Sequence, residues 1–170
     1  MTRAARPFRL ALPVRPGWSA AEALRGAVEA CLRAAVDGAD DRAALALVAG
    51  ELIEGAVGHG AWDAPAAADR AFELRLEADL DAVRVSVERP VREGDPAVER
   101  LLGDVRRLAG AGCAEQAYVD RLRLLVAGVG DPEALSLARV AHEGGCVVSA
   151  ELATDGVLRL VAIRRAPGVR

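Results

Sequence analysis

The sequence predicts an α+β protein: a two-layer α/β sandwich with a mixed, mainly antiparallel sheet. Three observations carry this. Runs of alternating apolar and polar residues come in pairs joined by links too short for a crossover, so their strands are antiparallel. Segments with apolar residues at helical spacing separate those pairs. The alternate strand positions are largely charged, which leaves one face of the sheet for water and the other for helices.

"FRLALPV" (8–14) alternates and begins the sheet, with Pro13 confining it to an edge. The N-terminus before it is basic, but Pro13, Arg15 and Pro16 cut its apolar run, so it reads as a strand and not as a signal peptide. "WSAAEALRGAVEACLRAAV" (18–36) is helical. Ser19 is its cap, Glu22 completes a capping box, Trp18 is placed as a hydrophobic staple, and Leu24, Val28, Cys31, Leu32 and Ala35 form the apolar stripe. A second helix runs from about 41 to 57, with Leu45, Val48, Leu52 and Ala56 inward and Gly58 and Gly60 stopping it. The stretch 61–69 is a loop, with Trp62 positioned to pack or to meet a partner.

Strands at 71–78 and 82–90 follow, joined around Asp79–Asp81. Helices at 95–110 and 131–145 each open on Asp-Pro, with Asp95 or Asp131 as cap and the proline at the first helical position. The helix at 114–130 lies between them. A last hairpin pairs 146–153 with 157–164 across Asp155–Gly156.

The length of 170 residues fits a single domain, 1–170, with its core at about 8–165. With hydrophobic residues at 52% and aromatics at only 3%, the core must be packed from Leu, Val and Ala. The net charge is −3 with interspersed signs, which argues against a nucleic-acid footprint. No apolar run is long enough for a membrane helix. Cys31, Cys113 and Cys146 are widely spaced and form no metal or redox motif. They read as buried small apolar side chains in a reducing cytoplasm. Every basic residue other than His is Arg, and Asn is absent.

The stretch "ELIEGAVGHG" (51–60), at the end of the second helix, matches the pattern Glu-Leu-x-x-Asn-Ala-x-x-His-Gly except that Gly55 replaces the Asn. With the order of elements, it resembles the histidine-kinase-like ATPase (GHKL, or Bergerat) fold. The similarity is greatest to a divergent branch of stand-alone bacterial regulators related to anti-sigma factor serine kinases, in which extra helices replace the glycine boxes. The resemblance implies a nucleotide cleft at Glu51, Glu54, Gly55, His59, Gly128 and Gly130. In the family, the Glu at position 51 polarises the attacking group and the Asn at position 55 supplies an oxygen to Mg²⁺. Gly55 cannot supply one, and no other Asn exists to do so.

The box whose Asp reads adenine is also missing: after the strand pair come only Arg92, Glu93, Gly94 and the capping Asp95. Asp131 and Glu133 sit where a phosphate would meet the last helix N-terminus, a repulsion on the order of several kcal/mol per contact before screening. Glu51 is then a vestigial base position, with no catalytic residue and no metal site.

The expected function is that of a cytoplasmic bacterial signalling regulator in a partner-switching or two-component pathway. Its implied partners are a sigma factor, an anti-sigma antagonist domain or a receiver domain, with no nucleic acid, no membrane and a weak homodimer through 8–14 or the first helix. It would need no cofactor. The alternative is an ATP- and Mg²⁺-dependent serine/threonine kinase of the anti-sigma type. Four other sequence features have ordinary readings. His59 and His142 end helices, where the dipole favours them. Cys146 beside His142 lacks a third group for nucleophilic catalysis. Arg106, Arg107, Arg121 and Arg123 are a solvated face or a surface for an acidic partner.

Overall fold

A computed structural model describes residues 7–15, 21–36, 38–62, 72–79 and 81–165. Its elements are β1 (Phe8–Val14), α1 (Ala21–Ala35), α2 (Ala39–His59), β2 (Phe72–Ala78), β3 (Ala82–Pro90), α3 (Pro96–Ala109), α4 (Ala114–Val126), α5 (Pro132–His142), β4 (Val147–Leu152) and β5 (Val157–Arg165). The strands form one sheet in the order β1-β2-β3-β5-β4. Among the described residues every pairing is antiparallel, so the expected mixed sheet is corrected. The reason is connectivity: the β2–β3 and β4–β5 links are hairpins, and the three-helix excursion after β3 returns the chain to the far edge as β4, beyond β5.

Two hairpins show how local chemistry sets register. The Asp79 side chain accepts from the backbone N–H groups of Asp81 and Ala82, each at 2.8 Å, closing the β2–β3 link. Gly156 closes the β4–β5 link with φ +76°, a value that L side chains rarely adopt.

One face of the sheet carries the core. Leu74 and Leu76 of β2, Val85 and Val87 of β3, and Leu158, Leu160 and Ala162 of β5 are buried. α2 lies against β2 and β3, α3 and α5 lie against β4, α1 packs beside α2, and α4 packs on α5. The other face holds a charged ladder: Arg75 pairs with Glu73 and Glu88, and Glu88 with Arg159 at 2.7 Å.

Several boundaries move for identifiable reasons. α2 runs through Gly58 to His59 and is stopped only by Gly60. α4 ends at Val126, short of the expected 130, because Gly128 turns left-handed. In the α1 stripe Leu24, Val28 and Leu32 are buried, but Cys31 and Cys113 are exposed, so only Cys146 matches the expectation of buried thiols. Trp18, Ser19 and the capping box to Glu22 lie outside the described residues, as does 63–69 of the expected loop.

Leu76 is fully buried between Leu10 and Val85. Leu76→Ala is expected to cost about 2–5 kcal/mol in urea denaturation. Arg75→Ala on the opposite face is expected to cost less than about 1 kcal/mol. Equal losses would mean that the helices do not cover the face assigned to them.

Candidate functional site

The α2 sequence places Glu51, Gly55 and His59 on one face at successive helical turns. The structure sets that face against α5. The Glu51 carboxylate accepts from Ser136 Oγ at 2.6 Å and from Arg139 Nη1 at 2.8 Å. Glu51 is mostly buried, with its side chain 14% exposed. Arg139 also donates from Nε to Glu143 at 3.1 Å. Glu143 first, and then Glu51, raises the Arg139 pKa above its ordinary value, so the guanidinium stays charged.

One turn on, Gly55 is met by Glu133 from the first turn of α5 and by Arg89 from β3. Arg89 lies in phase with Val85 and Val87 and points into the core, where it is 2% exposed. Its Nη1 donates to the Gly55 carbonyl at 2.5 Å, and its Nη2 stands 2.8 Å from Glu133 Oε1. A Cβ placed on Gly55 would lie 3.8 Å from the same Glu133 oxygen. His59 Nδ1 is 3.8 Å from Glu133 Oε2. Arg89 Nε has no hydrogen-bond partner among the described residues.

The expected cleft residues therefore divide. Glu51, Gly55 and His59 gather against α5, while Glu54 turns away to pair with Arg25 of α1 at 2.8 Å. Gly128 and Gly130 lie in the α4–α5 turn. Gly128, at φ +75°, is the left-handed residue after α4. Its N–H bonds the Leu125 carbonyl and that of Val129 bonds the Leu124 carbonyl, the paired bonds of a glycine helix cap. At Gly130 a Cβ would fall 2.4 Å from the Leu125 backbone nitrogen, so close approach requires glycine there.

These side chains do not suit Mg²⁺-ATP as the resemblance would hold it. Gly55 offers no side-chain oxygen, and an arginine–glutamate pair lines that position. Asp131 caps α5 by accepting from the Glu133 N–H at 2.9 Å, which occupies a donor that a phosphate would need. Among the described residues, no group of three His, Cys, Asp or Glu side chains is arranged to hold a metal.

Reasoning from sequence did not find Arg89, Ser136 or Arg139. A charge at the fourth inward position of β3, after Val83, Val85 and Val87, was the available signal for Arg89. The other candidates settle into structural roles. His142 stacks on Tyr118 with ring centroids 5.4 Å apart. Cys146 is buried and its thiol donates to the Gly144 carbonyl at 3.4 Å. Trp62 Nε1 donates to the Ala56 carbonyl at 3.0 Å, and its ring tilts against Phe72. Arg107 and Arg121 both bind Asp104, Arg123 binds Asp120, and Arg106 is exposed.

No protein-family profile matches the chain, and no curated protein matches it in sequence. Among solved structures, a chain of the SiaB–SiaC complex from Pseudomonas aeruginosa is similar in fold. Its TM-score is 0.64 at 18% identity, and the match covers 94% of this chain and 90% of that one. The shared feature is the α+β architecture over nearly the full length of both chains. No helix among the described residues is long and apolar enough to cross a membrane.

Removing one member of the buried pair tests its energetics. Arg89→Met leaves the Glu133 carboxylate buried without its partner and is expected to cost about 3–5 kcal/mol by chemical denaturation. Arg89→Met with Glu133→Leu is expected to recover most of that loss. A single variant as stable as the parent would show that the pair is solvated.

Burial pushes the Cys146 thiol pKa up to about 11, with Arg164 partly opposing the shift. At pH 8, native protein should alkylate readily at Cys31 and Cys113 but not at Cys146. Because the folded pKa is the higher one, this group's contribution to stability is intact below pH 9.0 and falls as the pH rises towards about 11. Replacing Cys146 with Ala should remove that alkaline component of the pH–stability curve.

Proposed function

We propose that the protein is a cytoplasmic bacterial signalling regulator with a degenerate histidine-kinase-like ATPase frame. It acts by binding another regulatory protein and not by turning over ATP. The observation that carries the reading is the face Glu51–Gly55–His59. On this face, the positions that the resemblance gives to the attacking group and the metal are engaged instead by side chains of the protein itself. Ser136 and Arg139 hold Glu51, and Arg89 and Glu133 meet at Gly55.

The similar solved chain comes from a complex of two proteins, which supports a protein partner for this fold. The partner classes that suit it are a sigma factor, an anti-sigma antagonist domain or a receiver domain. Weak self-association would run through β1, which lies at the sheet edge, or through the first helix.

Calorimetric titration with ATP and Mg²⁺ tests the reading. The expected result is no binding tighter than about 100 μM, roughly −5.5 kcal/mol. Glu51→Ala should leave partner binding unchanged, and Gly55→Asn should not create ATPase or kinase activity, because the adenine-reading box is still missing. Tighter ATP binding, together with phosphate transfer to a partner that Glu51→Ala abolishes, would replace this reading with that of a serine/threonine kinase.

A further inference from the structure

We infer that the groove between α3 and α4 is the docking site for an amphipathic helix of the partner protein, apolar on one face and acidic on its flanks. The inference deepens the regulator reading and rests on it. The groove measures about 530 Å³ and lies over α5. Its apolar lining comes from Leu108 of α3, Ala117 and Leu124 of α4, and Ala134, Leu137 and Ala138 of α5. Small side chains on α4 and α5 let a backbone approach closely. This is the geometry in which an apolar helix face seats in a groove between helices.

α4 itself shows that cover is missing. None of its residues is buried, and Leu124, which lines the groove, is 42% exposed. A helix of 13 residues is marginal in water without a packed face. Among the described residues, α4 is held by its packing on α5, by Ala114 against the core and by the ion pair from Arg121 to Asp104 of α3.

That contact identifies the occupant's chemistry. Asp104 is nearly buried, and its one carboxylate holds two guanidiniums, Arg121 and Arg107, the latter at 2.7 Å. The cluster carries one positive charge in excess. Arg107, 66% exposed, presents that excess at the groove. The groove's other acid, Asp120, is already engaged by Gln116 and Arg123. A helix with Asp or Glu on its flank would neutralise the excess charge, whereas one with Lys would add to it.

The protein contains its own reporter. Cys113 lines the groove and is exposed, while Cys31 is exposed on α1 outside it. The probe is a synthetic helical peptide with leucines along one face and glutamates flanking them, compared with a twin that has lysines in place of the glutamates. With the full chain, the glutamate peptide should slow alkylation of Cys113 by about tenfold and leave Cys31 unchanged. Arg107→Glu and Leu124→Glu, both at exposed positions, should each remove the protection while the thermal midpoint stays near that of the parent.

Three outcomes would overturn the inference. One is no protection at millimolar peptide, and another is equal protection by the lysine twin. The third is protection of Cys113 that grows with protein concentration in the absence of peptide, which would assign the groove to a second copy of the chain. Failure here leaves the ATP titration, and with it the regulator reading, untouched. ATP binding would remove that reading without changing the Cys113 result.

Discussion

The contact of Arg89 with Glu133 across Gly55 joins three parts of the protein: a central strand, the longest helix and the helix that returns the chain to the sheet. An arginine buried among aliphatic side chains carries a large desolvation cost, and only a close counter-charge and good hydrogen bonds offset it. Here the counter-charge comes from the first turn of α5 and the hydrogen-bond acceptor from the last turns of α2. The position of α5 is thus tied electrostatically as well as by packing. The Glu51–Ser136–Arg139 contacts extend the tie along the same helix pair. Among the described residues neither Arg89 Nε nor Glu133 Oε1 has a hydrogen-bond partner, so the pair is joined by charge more than by hydrogen bonding.

This arrangement gives Gly55 a structural meaning. The cation beside Gly55 is a guanidinium fixed to β3, and its anion is a glutamate fixed to α5. A Cβ on Gly55 would stand 3.8 Å from that glutamate oxygen, so the glycine leaves the pair room against the helix backbone. The glycines of the α4–α5 turn follow the same logic, since helix termination and close packing account for both without a ligand.

Much of the fold was legible in the sequence because the signals were local. Strand alternation, the two Asp-Pro helix starts and the short hairpin links depend on nearest neighbours, and the five strands and five helices among the described residues appear where those signals lie. The sheet order was less accessible. The pairing of β3 with β5 is long-range, and only the burial of both strands on the same face hints at it. Gly58 misled because a glycine inside a helix and a glycine ending one are indistinguishable until the next turn is packed. For the site, the Glu51–Gly55–His59 face could be read from helical periodicity. Its partners could not, because Arg89, Ser136 and Arg139 lie far along the chain and have ordinary surface explanations when read alone.

The ladder of Glu73, Arg75, Glu88 and Arg159 on the open face of the sheet has a consequence for how the molecule can be approached. Because the signs alternate, no broad potential extends from this face to attract a charged visitor. Any flat apolar surface laid on it would have to strip water from several ions at once. The charged part of the open face is therefore shielded by hydration and not by net charge. Towards β4 the same face turns apolar, with Val147 exposed beside Ile163, so the two ends of the sheet surface differ in what can be laid on them.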